Sequence, residues 1–110
     1  MTDKIVVLNT CGSMEEAERI ARALVEKRLA ACVNIVPAVR SFYRWKDVIE
    51  DSGEILLVIK SSRALFNDLR VELEKLHSYE VPEVVALQIV EGSEAYLHWM
   101  DHELAIRQES

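Results

Sequence analysis

Two cysteines in 110 residues, Cys11 and Cys32, are too few to staple a small fold. No disulfide framework is expected, and a reducing compartment would keep both as thiols. Three glycines and two prolines leave no room for a flexible linker or a low-complexity segment. Long apolar runs are missing as well. The longest near the start, Ile5-Val6-Val7-Leu8, is far shorter than a membrane span or a signal-peptide core, so the expectation is a cytoplasmic protein with no membrane partner. Basic residues are in deficit, 13 Lys and Arg against 19 Asp and Glu for a net charge of −6, and they are scattered. The potential that draws in a polyphosphate backbone is therefore lacking, which argues against nucleic acid and leaves a binder of small cations open. Enzyme signatures are absent too: there is no Gly-rich phosphate loop, no nucleophile elbow and no Cys-x-x-Cys, so catalysis is not expected.

What is present is an ordinary folding composition, 50% hydrophobic and 29% charged. A chain of this length forms one core and buries roughly two-thirds of the surface its unfolded form exposes, which predicts a single domain over 1–110. Ile5 to Leu8 reads as a strand buried on both faces. Ser13 with Glu16 three residues later is a capping box, and Ala17, Ile20, Ala21 and Leu24 recur at helical spacing, which predicts a helix over 14–28. Ala31 to Val36 opens a second strand that Pro37 interrupts. Val39 to Trp45 resumes it, Lys46-Asp47 is the turn, and Val48 to Lys60 returns, with Asp51-Ser52-Gly53 expected to be a bulge or kink. Leu65, Leu69, Leu73 and Leu76 form the stripe of a second helix after Ser61-Ser62. His77 to Glu83 is too polar and too interrupted for regular structure, Val84 to Val90 is a last strand, and Gly92-Ser93 opens a helix carrying Tyr96, Leu97, Met100 and Leu104. This order predicts an α+β fold, a ferredoxin-like βαββαβ sandwich with an extra C-terminal helix and a long bent β-hairpin.

The strands do not alternate apolar with polar residues. Val6 and Leu8 point opposite to Ile5 and Val7, and Leu56 and Val58 opposite to Leu57 and Ile59, so both faces of the sheet are apolar. Two crossover helices cover one face only. A bare apolar face larger than a few hundred Å² is rarely left in water, and further copies of the same chain in a closed assembly are the simplest cover, with the long hairpin reaching to a neighbour.

Leu29-Ala30-Ala31-Cys32-Val33-Asn34-Ile35, Phe42-Tyr43-Arg44-Trp45, Glu54 with Lys60, His77-Ser78-Tyr79-Glu80-Val81-Pro82-Glu83 and Tyr96-Leu97-His98-Trp99 follow one another in an order and spacing that resemble the CutA family of divalent-cation tolerance proteins. The resemblance spans nearly the whole chain. It implies a PII-like fold, a homotrimer and the handling of divalent metal ions, chiefly copper, with no cofactor required for folding. Two positions depart from the family pattern: Asp47 stands where Gly is usual, and Ser78 where Pro is usual. Asp tolerates a left-handed turn position at some cost, while losing Pro is expected to loosen the loop around His77.

The resemblance makes Cys32 and His77 the first candidates for metal ligands, since thiolate and imidazole suit soft and borderline ions. Cys32 sits among Ala30, Ala31, Val33 and Ile35, a setting in which a free Cys more often serves as a small buried hydrophobe. Cys11 matches no family residue, but its place after the first strand, beside Gly12, predicts an accessible thiol and a third candidate ligand. A second reading is a PII-like signalling or scaffold trimer, which would bind a small metabolite or a protein partner in an intersubunit cleft lined by Trp45, Glu54, Lys60, Tyr79 and Glu83. His98 and His102, with Glu94 one turn earlier, have a metal-binding spacing but lack a third ligand, and a solvated helix face is the better reading.

Overall fold

The computed structural model describes residues 2–105; Met1 and residues 106–110, included in the expected domain span, lie outside the described residues. The elements run β1 (Lys4–Cys11), α1 (Met14–Glu26), β2 (Cys32–Trp45), β3 (Val48–Ser62), a 3-10 turn over Arg63–Leu65, α2 (Phe66–Leu76), β4 (Val85–Gln88) and α3 (Glu94–Glu103). The sheet order is β2-β3-β1-β4 with every neighbouring pair antiparallel, the ferredoxin-like arrangement that the element order predicts.

Local chemistry sets the element limits. Ser13 caps α1, its hydroxyl accepting the Glu16 N–H at 3.2 Å. The reciprocal half of the expected capping box does not form, because the Glu16 side chain turns to Ser78 instead. The helix ends at Glu26, two residues before the expected limit, as Arg28 takes a left-handed φ of 58° and the amides of Leu29 and Ala30 close on the Leu24 carbonyl. β4 is shorter than Val84 to Val90, and the region from Ser61 to Leu65 completes β3 and a 3-10 turn before α2 begins.

One expectation about the hairpin is corrected. The ladder is regular through Asp51, Ser52 and Gly53, which pair with Phe42, Ser41 and Arg40. The irregularity lies on β2 between Val36 and Val39, where three steps of β2 match two of β3, from Leu56 to Glu54. Pro37 has no N–H to give the ladder, so the extra residue is accommodated there, and the ladder has no need of Gly53's conformational freedom.

The core lies under one sheet face. Ile5, Val7 and Cys11 of β1 and Leu57 and Ile59 of β3 meet Ala17, Ile20 and Leu24 of α1 and Leu69 and Leu73 of α2. Each fully buried aliphatic contributes about 1.5–3 kcal/mol. A second cluster joins Met100 of α3 and Leu104 just past its end to Ala31 and Leu65, and the Lys4 ammonium, itself buried, is 2.6 Å from Asp101. The opposite face stays apolar and bare in the single chain. In-register pairing places Leu8, Val58 and Val85 on it side by side, next to Leu87, with Val85 48% and Leu87 54% exposed. The hairpin stretches the molecule to 49 Å in its longest dimension, and its outer part carries Phe42 (63% exposed) and Ile49 (64% exposed).

The turn at Lys46-Asp47 has φ of 49° and 68°, both left-handed, as a two-residue hairpin of this twist requires. Neither residue suits that region as glycine does. Replacing Asp47 by Gly is expected to stabilise the fold by about 0.5–1 kcal/mol, the strain relieved outweighing the flexibility gained by the unfolded chain. Denaturant unfolding of Asp47→Gly checks this; a loss of stability would mean that the turn carries no such strain.

Candidate functional site

β1 runs three residues past its apolar stretch, through Asn9, Thr10 and Cys11. Alternation turns Asn9 and Cys11 inward with Ile5 and Val7, and both are fully buried. The Asn9 amide donates to the Glu83 carbonyl at 2.8 Å, and the Cys11 thiol donates to Asn9 Oδ1 at 3.3 Å. Cys11 is thus not the accessible thiol expected beyond the strand. Burial, together with the carboxylates of Glu16 and Glu54, pushes its pKa up to about 12 against a weaker opposing effect of Arg19, so it is protonated and unreactive at rest.

Two further side chains converge on it. Glu16, from the first turn of α1, and His77, just past the end of α2, each bring a ligand atom such that sulfur, carboxylate oxygen and ring nitrogen all lie within 4.8 Å of one another. Both nitrogens of His77 are already engaged. Nε2 lies 2.9 Å from the Thr10 carbonyl, which must accept a proton, and Nδ1 accepts the Tyr79 N–H at 3.1 Å. These partners place the ring proton on Nε2. Burial alone would raise the pKa of Glu16; the Ser78 groups, including an N–H at 2.6 Å, the neighbouring His77 ring and the Gly12 N–H outweigh it and hold the carboxyl below its ordinary range. The departure at position 78 therefore does not simply loosen the loop. A proline has no N–H to donate, whereas Ser78 ties the loop to α1 through Glu16.

Cys32 belongs elsewhere. It pairs with Lys60 while Cys11 pairs with Ile55, so five residues of β3 separate their register positions, about 16 Å at 3.3 Å per residue. The Cys32 side chain is half-buried at the start of β2, not enclosed in the core. His98, His102 and Glu94 are exposed on α3, as a solvated face requires.

A cavity of about 630 Å³ opens between the hairpin and the 77–83 loop. Four of the five residues expected in a cleft, Trp45, Glu54, Tyr79 and Glu83, line it together with Tyr43 and Phe42. Lys60 does not join them. It lies six residues farther along the same face of β3, about 20 Å away, with its ammonium 5.9 Å from the centre of the Tyr96 ring. Tyr79 connects the cavity to the cysteine cluster: its hydroxyl donates to Glu54 Oε2 at 2.6 Å, its ring packs tilted against that of His77 with centroids 4.7 Å apart, and a methyl group added at Gly12 would come within 3.3 Å of its oxygen. Burial and the Glu54 carboxylate both drive the Tyr79 pKa upward, keeping the phenol a donor. Glu16 is the residue that sequence reasoning missed, because its capping-box position supplies a local role for a carboxylate that the fold uses at long range.

Comparison with known proteins gives a consistent picture. The family described as CutA1 divalent ion tolerance protein matches residues 5–103. The "Divalent-cation tolerance protein CutA" of Thermus thermophilus is 50% identical over 95 residues, covering 86% of this chain and 92% of the relative. The mouse "Protein CutA" is 47% identical over 91 residues, and the matched region is 83% of this chain but only 51% of the mouse protein, so the chain spans about half the length of that relative. The solved structure of the Thermus thermophilus divalent cation tolerance protein (Cut A1) superposes with a TM-score of 0.90 at 47% identity, covering 93% of this chain and 99% of that one.

Since the folded-state pKa of Glu16 lies below its unfolded value near 4.5, its contribution to stability is complete above that value and is lost as pH falls through the lower, folded pKa. Glu16→Gln is therefore expected to flatten the acid limb of the stability–pH curve below about pH 4.5, measured by thermal melts from pH 2 to 7. An unchanged acid limb would show that Glu16 gains nothing from Ser78.

Proposed function

The chain belongs to the CutA1 divalent ion tolerance protein family, and from that premise we propose that it is a single-domain, non-enzymatic, cytoplasmic homotrimer that contributes to divalent metal tolerance by binding copper or a similar transition-metal ion. The observation that carries the metal reading is the convergence of Cys11, Glu16 and His77 within 4.8 Å. A thiolate, an imidazole and a carboxylate form a donor set that fits soft and borderline ions. With metal–ligand distances of about 2.0–2.3 Å, ligand atoms sit about 3.5 Å apart, so the cluster needs a contraction of about 1 Å. It also needs the Cys11 proton to leave and one His77 nitrogen to exchange its backbone partner. Binding should accordingly release a proton and strengthen as pH rises.

Calorimetry of the oligomer with Cu(I) under reducing conditions, and with Cu(II) and Zn(II), tests this. Cys11→Ser and His77→Ala are each expected to weaken binding by at least about tenfold, whereas Cys32→Ser and the His98→Ala/His102→Ala pair leave it unchanged. Binding that depends only on Cys32, or only on the α3 histidines, would sink the Cys11–Glu16–His77 site.

Assembly with further copies is supported by the bare apolar face around Leu8, Val58, Val85 and Leu87 and by the apolar outer hairpin, while the number three rests on the family resemblance. Sedimentation equilibrium should return three times the chain mass, and a stable monomer at micromolar concentration would contradict it. A second reading, a PII-like signalling or scaffold trimer with a small ligand in its cleft, is favoured by the cavity that Trp45, Glu54, Tyr79 and Glu83 line.

A further inference from the structure

We propose that the cavity between the hairpin and the 77–83 loop binds a small organic cation, an ammonium or guanidinium group on an apolar stem; this rests on reading the cavity as a ligand site. Its volume of about 630 Å³ is that of a small-molecule pocket. Three carboxylates border it, from Glu54, Glu80 and Glu83, and no Lys, Arg or His does. A nucleotide or any other polyphosphate would meet repulsion from every charged wall that the single chain supplies.

Glu54 gives the strongest indication. The residue is only 6% exposed, yet among the described residues no cation pairs with it. One oxygen receives the Tyr79 hydroxyl at 2.6 Å, the other has no hydrogen-bond partner among the described residues, and the side chain borders the cavity. Among the described residues no sealed side-chain polar atom lacks a partner, so this second oxygen reaches the open space of the cavity, where a carboxylate so largely enclosed still lacks the counter-charge that buried ions usually have. A cation entering the cavity supplies it.

The walls select the kind of cation. Phe42, Tyr43, Trp45 and Tyr79 present aromatic surface, which attracts cations with diffuse charge. The chain's own cations already use two of these rings: the Lys46 ammonium lies 5.6 Å from the Trp45 ring centre and the Arg40 guanidinium 5.0 Å from that of Phe42, although neither residue lines the cavity. A bare metal ion fits poorly. Among the described residues the cluster that converges closely enough to hold one is Cys11, Glu16 and His77, and the cavity carboxylates form no such set.

The test uses the purified full-length oligomer carrying Trp99→Phe, so that Trp45 alone reports by fluorescence, with calorimetry alongside. The probes are phenethylamine and agmatine as cations, phenethyl alcohol as the neutral counterpart, and ATP as the anion. The amines are expected to bind one per chain, at least about tenfold more tightly than the alcohol or ATP. Glu54→Gln should weaken them by at least about tenfold, and Glu83→Gln, at an exposed position where folding is not at stake, by severalfold. Zn(II) binding should be unaltered by Glu83→Gln. Equal affinity for the alcohol, preference for ATP, or amine binding that ignores both substitutions would overturn the cation assignment while leaving the cavity a ligand site. Failure of every probe to bind by about 10 mM would overturn the cavity reading as well.

Discussion

The polar loop from His77 to Glu83 is held to the rest of the fold by hydrogen bonds at four points: the Ser78 amide on Glu16, the His77 ring on the Thr10 carbonyl, the Tyr79 hydroxyl on Glu54 and the Asn9 amide on the Glu83 carbonyl. The metal cluster and the cavity both depend on these ties. They sit on the two sides of Tyr79, whose ring packs on His77 and whose hydroxyl reaches Glu54. An ion that draws His77 away from the Tyr79 amide must move the residue that walls the cavity, so the two candidate sites share one mechanical element.

The sheet places its own demand on the molecule. Its helix-covered face closes a core of ordinary aliphatics, while the other face repeats the same chemistry without a cover of its own. α3 cannot supply that cover, because Met100 and Leu104 dock it on Ala31 and Leu65 and the Lys4–Asp101 pair fixes it there. Tyr96 of α3 meets the bare face at Lys60, whose ammonium lies 5.9 Å from its ring centre. The cavity occupies the hairpin end of this same face, so the assembly that covers the face also sets the access to the cavity.

The two cysteines exchange the roles their local sequence suggests. Cys32, flanked by apolar residues, is half-buried at the start of a strand, and Cys11, flanked by Thr10 and Gly12, is sealed in the core. Burial of Cys11 follows from strand parity and from Asn9, whose amide finds the Glu83 carbonyl and whose oxygen receives the thiol proton. Local polarity misleads here because an inward polar residue needs only a partner, and the partner lies 74 positions away.

The sequence by itself determined the order and type of the elements, the ferredoxin-like topology, the turn at Lys46-Asp47 and the doubling of the apolar faces, because strand and helix periodicity, caps and turns act over a few residues. It also gathered Trp45, Glu54, Tyr79 and Glu83 into one cleft by way of the family resemblance. Only the tertiary structure decided that Lys60 lies at the far end of the sheet, that the irregularity belongs to Pro37 and not to Gly53, and that Glu16 abandons its own helix cap for Ser78. Those outcomes depend on register and on contacts such as Glu16 to Ser78, 62 residues apart, which no local pattern encodes, since the free energy that selects them comes from packing the whole chain at once.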